Sequence, residues 1–164
     1  MLKRLTIFAM ATMAFAALPA ATEIAGAQVG YARAGEDSND SRSGALCSKG
    51  ELSPMHLYAN GRSAGAHNKN DIAACWFRLS AEASVEAEGP MTVIWASTRD
   101  LGFLYENGNG VPQDYVLAYK WHSISEGYGS IISLNSRQYL ENIMTPDQIA
   151  EAQRLAEVWL AERR

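Results

Sequence analysis

Cysteine and histidine are scarce in this chain, at two and three residues among 164. The three histidines, His56, His67 and His122, lie far apart, and none has the His-x-x-x-His spacing with an adjacent Glu that holds zinc. A solvent or packing role is expected of them, and no metal. Basic residues are also in the minority, with 14 Lys and Arg against 18 Asp and Glu and a net charge of −4. That balance argues against nucleic acid and anionic membrane surfaces as partners. Beyond Leu18 no apolar run approaches the roughly 20 residues that a bilayer span needs. No segment alternates β-branched and polar residues with period two, so a sheet is excluded and the expected fold class is all-α. Reactive motifs are missing too. Ser53 with His56, and His122 with Ser123, are the Ser/His neighbours, and neither sits in a Gly-x-Ser-x-Gly elbow. Gly108-x-Gly110 lacks a following Gly-Lys-Ser/Thr and lies between helices, not after a strand. Asp100, Glu106, Asp114 and Glu126 read as solvated carboxylates on helical surfaces. Neither a catalytic group nor a cofactor site is expected.

What is present begins with a leader. Lys3 and Arg4 precede an uncharged apolar run from Leu5 to Leu18, and small residues follow, ending in Ala25-Gly26-Ala27. This is the layout of a secretory signal peptide over residues 1–27, with cleavage expected after Ala27 and a periplasmic or secreted product. No membrane span would remain after that cut. Residues 28–45, rich in Gly, Ser, Asp, Asn and Arg, have no apolar period and read as a flexible linker. Cys47 and Cys75 both follow the leader. In an oxidising compartment an even pair reads as a disulfide, which would add about 3 kcal/mol by restricting the unfolded chain. Two separate buried thiols are the alternative.

From Leu46 onward helical patterns alternate with Gly/Asn breaks, and parts of the chain repeat. Leu57-Tyr58-Ala59-Asn60-Gly61 reappears as Leu104-Tyr105-Glu106-Asn107-Gly108, and Ala73-x-x-Trp76 as Ala118-x-x-Trp121. In the second copy Trp95, Leu101, Leu104 and Tyr105 make a helical stripe, and Gly102 allows a second helix to come close. Asn107-Gly108-Asn109-Gly110 ends that helix, Val111-Pro112 re-enters the structure, and Asp114 can start the next helix. Tyr115, Ala118, Trp121 and Ile124 or Ser125 line the returning helix, which Gly127 and Gly129 close.

The pattern Leu101-Gly102-x-x-Tyr105-x-x-Gly108-x-Gly110-Val111-x-x-Asp114-x-x-x-Ala118-x-x-Trp121, followed by Gly129, resembles a Sel1-like repeat. The resemblance covers residues 97–130 well, within a repeat expected over residues 91–130. It extends weakly to residues 46–87, within a degenerate repeat expected over residues 46–90, where Arg62-Ser63-Ala64-Gly65-Ala66-His67 stands in place of the Gly-x-Gly-Val turn and an altered loop is expected. It implies a short array of about two α/α repeats. Residues 131–164 read as capping helices: Ile131, Leu134, Tyr139, Leu140 and Ile143 suggest one. Thr145-Pro146-Asp147-Gln148 opens another, whose apolar face is Ile149, Ala152, Leu155, Ala156, Trp159 and Leu160, with Arg163 and Arg164 at its C-terminal dipole end. Such an array needs a lid on its open end.

Function then rests on a surface. On the first helix of the good repeat Arg99, Phe103, Glu106 and Asn107 lie off the packing stripe, and Phe103 would anchor a protein partner if it does not pack against the neighbouring repeat. The resemblance implies an adaptor in protein complexes, since exported bacterial members of this family are associated with signalling regulation or host contact. Some cysteine-rich exported members are described as β-lactam-binding or hydrolysing, but their repeats each carry a Cys pair, and residues 91–130 have none. A structural role at the envelope, with peptidoglycan, is the remaining alternative.

Overall fold

A computed structural model describes residues 47–163, so the expected leader and linker lie outside the described residues, as does Arg164. Six helices and no strand occur among the described residues: α1 (Pro54–Ala66), α2 (Asn70–Glu86), α3 (Met91–Asn107), α4 (Tyr115–Gly127), α5 (Ile131–Glu141) and α6 (Pro146–Ala161). None is long and apolar enough to cross a membrane. The fold is all-α, as the absence of period-two patterning requires.

α1 and α2 form one helical hairpin and α3 and α4 a second; α2 packs against α3, and α1 also touches α3. α4 is the hub. It buries Val116–His122 as well as Ile124 and Ser125, because α3, α5 and α6 all pack on it. The core is thin where helices meet: α2 turns Ala73, Ala74, Ala81, Ala83, Ser80 and Ser84 inward, and small side chains let backbones approach. Several buried hydroxyls donate to helix carbonyls, as when Ser84 donates to Ser80 O at 2.7 Å and Thr98 to Ile94 O at 2.8 Å.

Helix ends follow local chemistry. Ser53 caps α1 with Pro54 in the first turn, Asp114 caps α4 by accepting from Leu117 N at 3.0 Å, and Ser130 caps α5. Thr145 and Gln148 form a reciprocal capping box at α6. Gly108 ends α3 in the left-handed conformation at φ 67. Gly110 follows at φ 76, and a Cβ there would fall 2.4 Å from the backbone of Asn70 and Asp71, so this loop is seated on the start of α2. The apolar face expected of α6 is inward: Ala152, Ala156 and Trp159 are buried, and Trp159 meets Trp121 edge to face at 5.2 Å. At its end Arg163 donates to Trp159 O and pairs with Glu82 of α2 at 3.2 Å. Arg137 of α5 holds Glu126, Glu141 and the Tyr119 hydroxyl, fastening α5 to α4. Cys47 and Cys75 form the disulfide, with Cα atoms 6.3 Å apart, and it ties the segment before α1 to the middle of α2.

The expected loop at Arg62–His67 is corrected by the structure, in which residues 62–66 continue α1. The turn comes later, at residues 67–69, where Asn68 takes a positive φ of 55. Gly61 is therefore interior to its helix. Its buried face accepts the Phe77 ring, which leaves no room for a Cβ (2.5 Å). The matching pentads Leu57–Gly61 and Leu104–Gly108 consequently occupy different places, one mid-helix and one at a helix end. The true equivalence is in contacts. Gly61 against Phe77 matches Gly102 against the His122 ring, and Ser80 donating to Pro54 O (2.8 Å) matches Ser125 donating to Trp95 O (2.7 Å). One spacing relates the first helices (54 to 95, 61 to 102). A wider one relates the second helices (73 to 118, 76 to 121, 77 to 122, 80 to 125), because the connection at 108–114 is longer than that at 67–69.

Candidate protein-binding face

The first helices of the two hairpins, α1 and α3, lie side by side, and polar groups bridge them. The Tyr58 hydroxyl donates to Asp100 Oδ2 at 3.1 Å, and Arg62 approaches the same oxygen at 3.6 Å. Asp100 Oδ1 accepts from Arg99 Nε at 2.8 Å and Nη2 at 2.6 Å. Arg99 also lies over the Trp95 ring, 5.1 Å from its centroid. Burial, and then the Asp100 charge and hydrogen bond, hold the Tyr58 phenol above its ordinary pKa. One carboxylate thus faces two guanidiniums. Arg99 is mostly covered, whereas the Arg62 side chain is 63% exposed.

Behind this row lies a buried histidine. His122, wholly buried, presents Nε2 to Glu106 Oε2 at 3.1 Å and Nδ1 to Ser133 Oγ at 3.4 Å. Burial, reinforced by the Arg99 charge, lowers its pKa from 6.5 to about 4, so the ring is neutral near pH 7. Nε2–H then donates to the carboxylate, and Nδ1 accepts from the Ser133 hydroxyl. Burial pushes the Glu106 carboxyl upward. Ser133, His122 and Glu106 follow the order of an acyl-transfer triad. Ser133 and His122 have no exposed surface, however, so the hydroxyl has no route to a substrate, and the three groups act as a polar bridge joining α3, α4 and α5.

The residues expected to meet a partner are distributed unevenly. Phe103 is half-buried with its ring edge-on to His122, centroids 5.0 Å apart, so it packs within its own hairpin. Glu106 is committed to His122 and Arg99 to Asp100. Asn107 is exposed, its amide donating to Phe103 O at 2.9 Å. The residues that resemble the repeat motif carry structural tasks: Gly102 admits the His122 ring, Tyr105 O accepts from Asp114 N at 3.0 Å, and Ala118 and Trp121 are buried in the core. Gly129, at φ 99, turns the chain from α4 to α5.

Sequence reasoning missed Arg62, Asp100, Tyr58 and Ser133 as members of this face and its support. A signal existed: residues one repeat apart on α1 and α3 must be neighbours, which pairs Tyr58 with the Arg99–Asp100 step. Among the described residues no group of three or more His, Cys, Asp and Glu could hold a metal ion. In comparisons with known proteins, no family model, no curated protein and no solved structure matches the chain.

Proposed function

We propose that this chain is an exported Sel1-like repeat protein that serves as an adaptor or regulator by binding a protein partner in the periplasm or cell envelope. The observation that carries the reading is the recurrence of the same contacts in both hairpins, Gly61 with Phe77 and Gly102 with His122, which makes the chain an array presenting a row of first helices. The disulfide fits an oxidising compartment, and the leader read from residues 1–27 fits export. The row carries Arg62 outward beside Asp100, with Asn107 and the open edge of Phe103 further along α3. Arginine and aromatic residues are those that anchor protein interfaces. A specific acidic or polar protein surface would complete the Arg62 charge.

The test is affinity capture from a periplasmic and membrane extract, comparing the wild-type chain with Arg62→Glu and with Asn107→Arg. Both positions are exposed, so far-UV helicity should be unchanged. A specific protein lost from both variants, with at least a tenfold fall in affinity, is the expected result. Retention of cell-wall sacculi alone, or turnover of a chromogenic β-lactam, would replace this reading with the envelope or hydrolase alternative.

A further inference from the structure

α5 carries most of its apolar side chains outward. It buries only Ser133 and Leu140, while Ile131 is 74%, Ile132 51% and Tyr139 55% exposed, and Ile143, just past its end, 45%. At 3.6 residues per turn Ile131, Ile132, Asn135, Tyr139, Asn142 and Ile143 fall within an arc of about 120° opposite the buried side. That arc contains no charged residue, in a chain that is 20% charged. The helix's own charges, Arg137 and Glu141, lie on the side away from this arc, where Arg137 holds α4, and are paired. The face is open because α6 packs back on α4 and has at most marginal contact with α5. No element of the described fold covers it.

We propose that this face is the interface of a homodimer, in which α5 of one copy lies antiparallel along α5 of a second copy about a two-fold axis. Size supports this: the four apolar residues leave roughly 450 Å² in water, and a standard interface buries about 800 Å² per partner with somewhat over half of it apolar. So does self-complementarity. A two-fold axis sets a patch against itself, so the start of one helix meets the end of the other. Ile131 and Ile132 stand at the start, and Tyr139 and Ile143 at the end. With position 132 set against position 139 the axis passes beside Asn135, whose amide both donates and accepts and so pairs with its own copy. A charged face would meet its like, which an acidic chain tolerates poorly. The proposal is independent of the adaptor reading, because it uses neither α1 nor the outer row of α3.

Sedimentation velocity of the full chain from about 1 to 200 μM tests it. The wild type should shift from monomer to dimer within that range. Ile132→Glu and Tyr139→Lys should each weaken association at least tenfold while far-UV helicity stays constant, since both positions are exposed. Mixing the two variants should restore association, because the antiparallel pairing sets position 132 against position 139 of the other copy. A monomer at every concentration overturns the proposal. So does a dimer that survives both substitutions, and so does a monomer that loses capture of a different protein on Ile132→Glu. Restoration failing in the mixture overturns the antiparallel arrangement.

Discussion

The first hairpin turns in three residues, 67–69, without a glycine, whereas the second spends residues 108–114 on a glycine-containing loop that reaches back to its predecessor. In the first, Asn68 supplies the positive φ and Gly65 sits in open helix, where an added methyl group would meet nothing closer than 3.9 Å. In the second, Gly110 combines a positive φ with direct approach to the backbone of Asn70 and Asp71. Turn chemistry therefore does two jobs. One reverses the chain and the other sets the stacking distance between hairpins, and only the second hairpin does both. The sharpest way to break the comparison is to add one methyl group to each. Gly110→Ala should cost about 3 kcal/mol or more, since backbone strain of about 1 kcal/mol is joined by a collision that only backbone movement relieves. Gly65→Ala should gain about 0.5 to 1 kcal/mol, as expected for glycine replaced inside a helix. Urea midpoints would show the opposite signs. Equal effects would mean the loop is not a spacer.

Much of this fold was legible in the sequence and the reasons are local. Gly108, Asp114, Thr145 with Gln148, and the stripe Ala152, Ala156, Trp159 are written in residue types whose conformational preferences decide the outcome by themselves. The first copy misled because a five-residue string matched and the turn after it did not. Leu57–Gly61 resembles Leu104–Gly108, yet the partner that fixes Gly61 is Phe77, on another helix. The α5 stripe announced its helix correctly but not the side that is covered. Ile131, Tyr139 and Ile143 have helical spacing, but which side of a helix is covered depends on where α6 goes. At the candidate face, side chains on one helix could be enumerated, but the Tyr58–Asp100 bridge and the His122–Glu106 contact require knowing which helices touch.

The second difference between the hairpins lies in the ring that meets the glycine. Phe77 is indifferent to pH, and His122 is not. Folding lowers the His122 pKa from 6.5 to about 4, so the unfolded chain takes up the proton first as the pH falls. Stability from this group is therefore complete above about pH 6.5 and is lost progressively down to about pH 4, to a limit of about 3 kcal/mol at about 1.4 kcal/mol per pH unit. Glu106, with its pKa raised, binds its proton more readily in the folded state and offsets part of that loss at the acid end. His122→Phe makes the second hairpin copy the first. Denaturation midpoints between pH 7 and pH 4 should flatten by about 2 kcal/mol relative to wild type. An unchanged slope would place the acid sensitivity on other groups.

The smallest effect tests the likeness itself. Ser80 and Ser125 each send a hydroxyl from the second helix of a hairpin to a carbonyl near the start of the first, at 2.8 and 2.7 Å. If the hairpins are equivalent, the shared bond should contribute equally, about 1 kcal/mol, and Ser125→Ala should cost about that much. Ser80 does more, because it also accepts from the buried Ser97 hydroxyl at 2.8 Å, a contact between α2 and α3. Ser80→Ala strands that hydroxyl and should cost about 2 kcal/mol. The excess belongs to the pair, so adding Ser97→Ala to Ser80→Ala should add little, and the double-mutant cycle should return a coupling of about 1 kcal/mol. Costs of the same size for Ser80→Ala and Ser125→Ala, with no coupling, would make the two hairpins alike in energy as well as contact and would leave the α2–α3 junction to apolar packing.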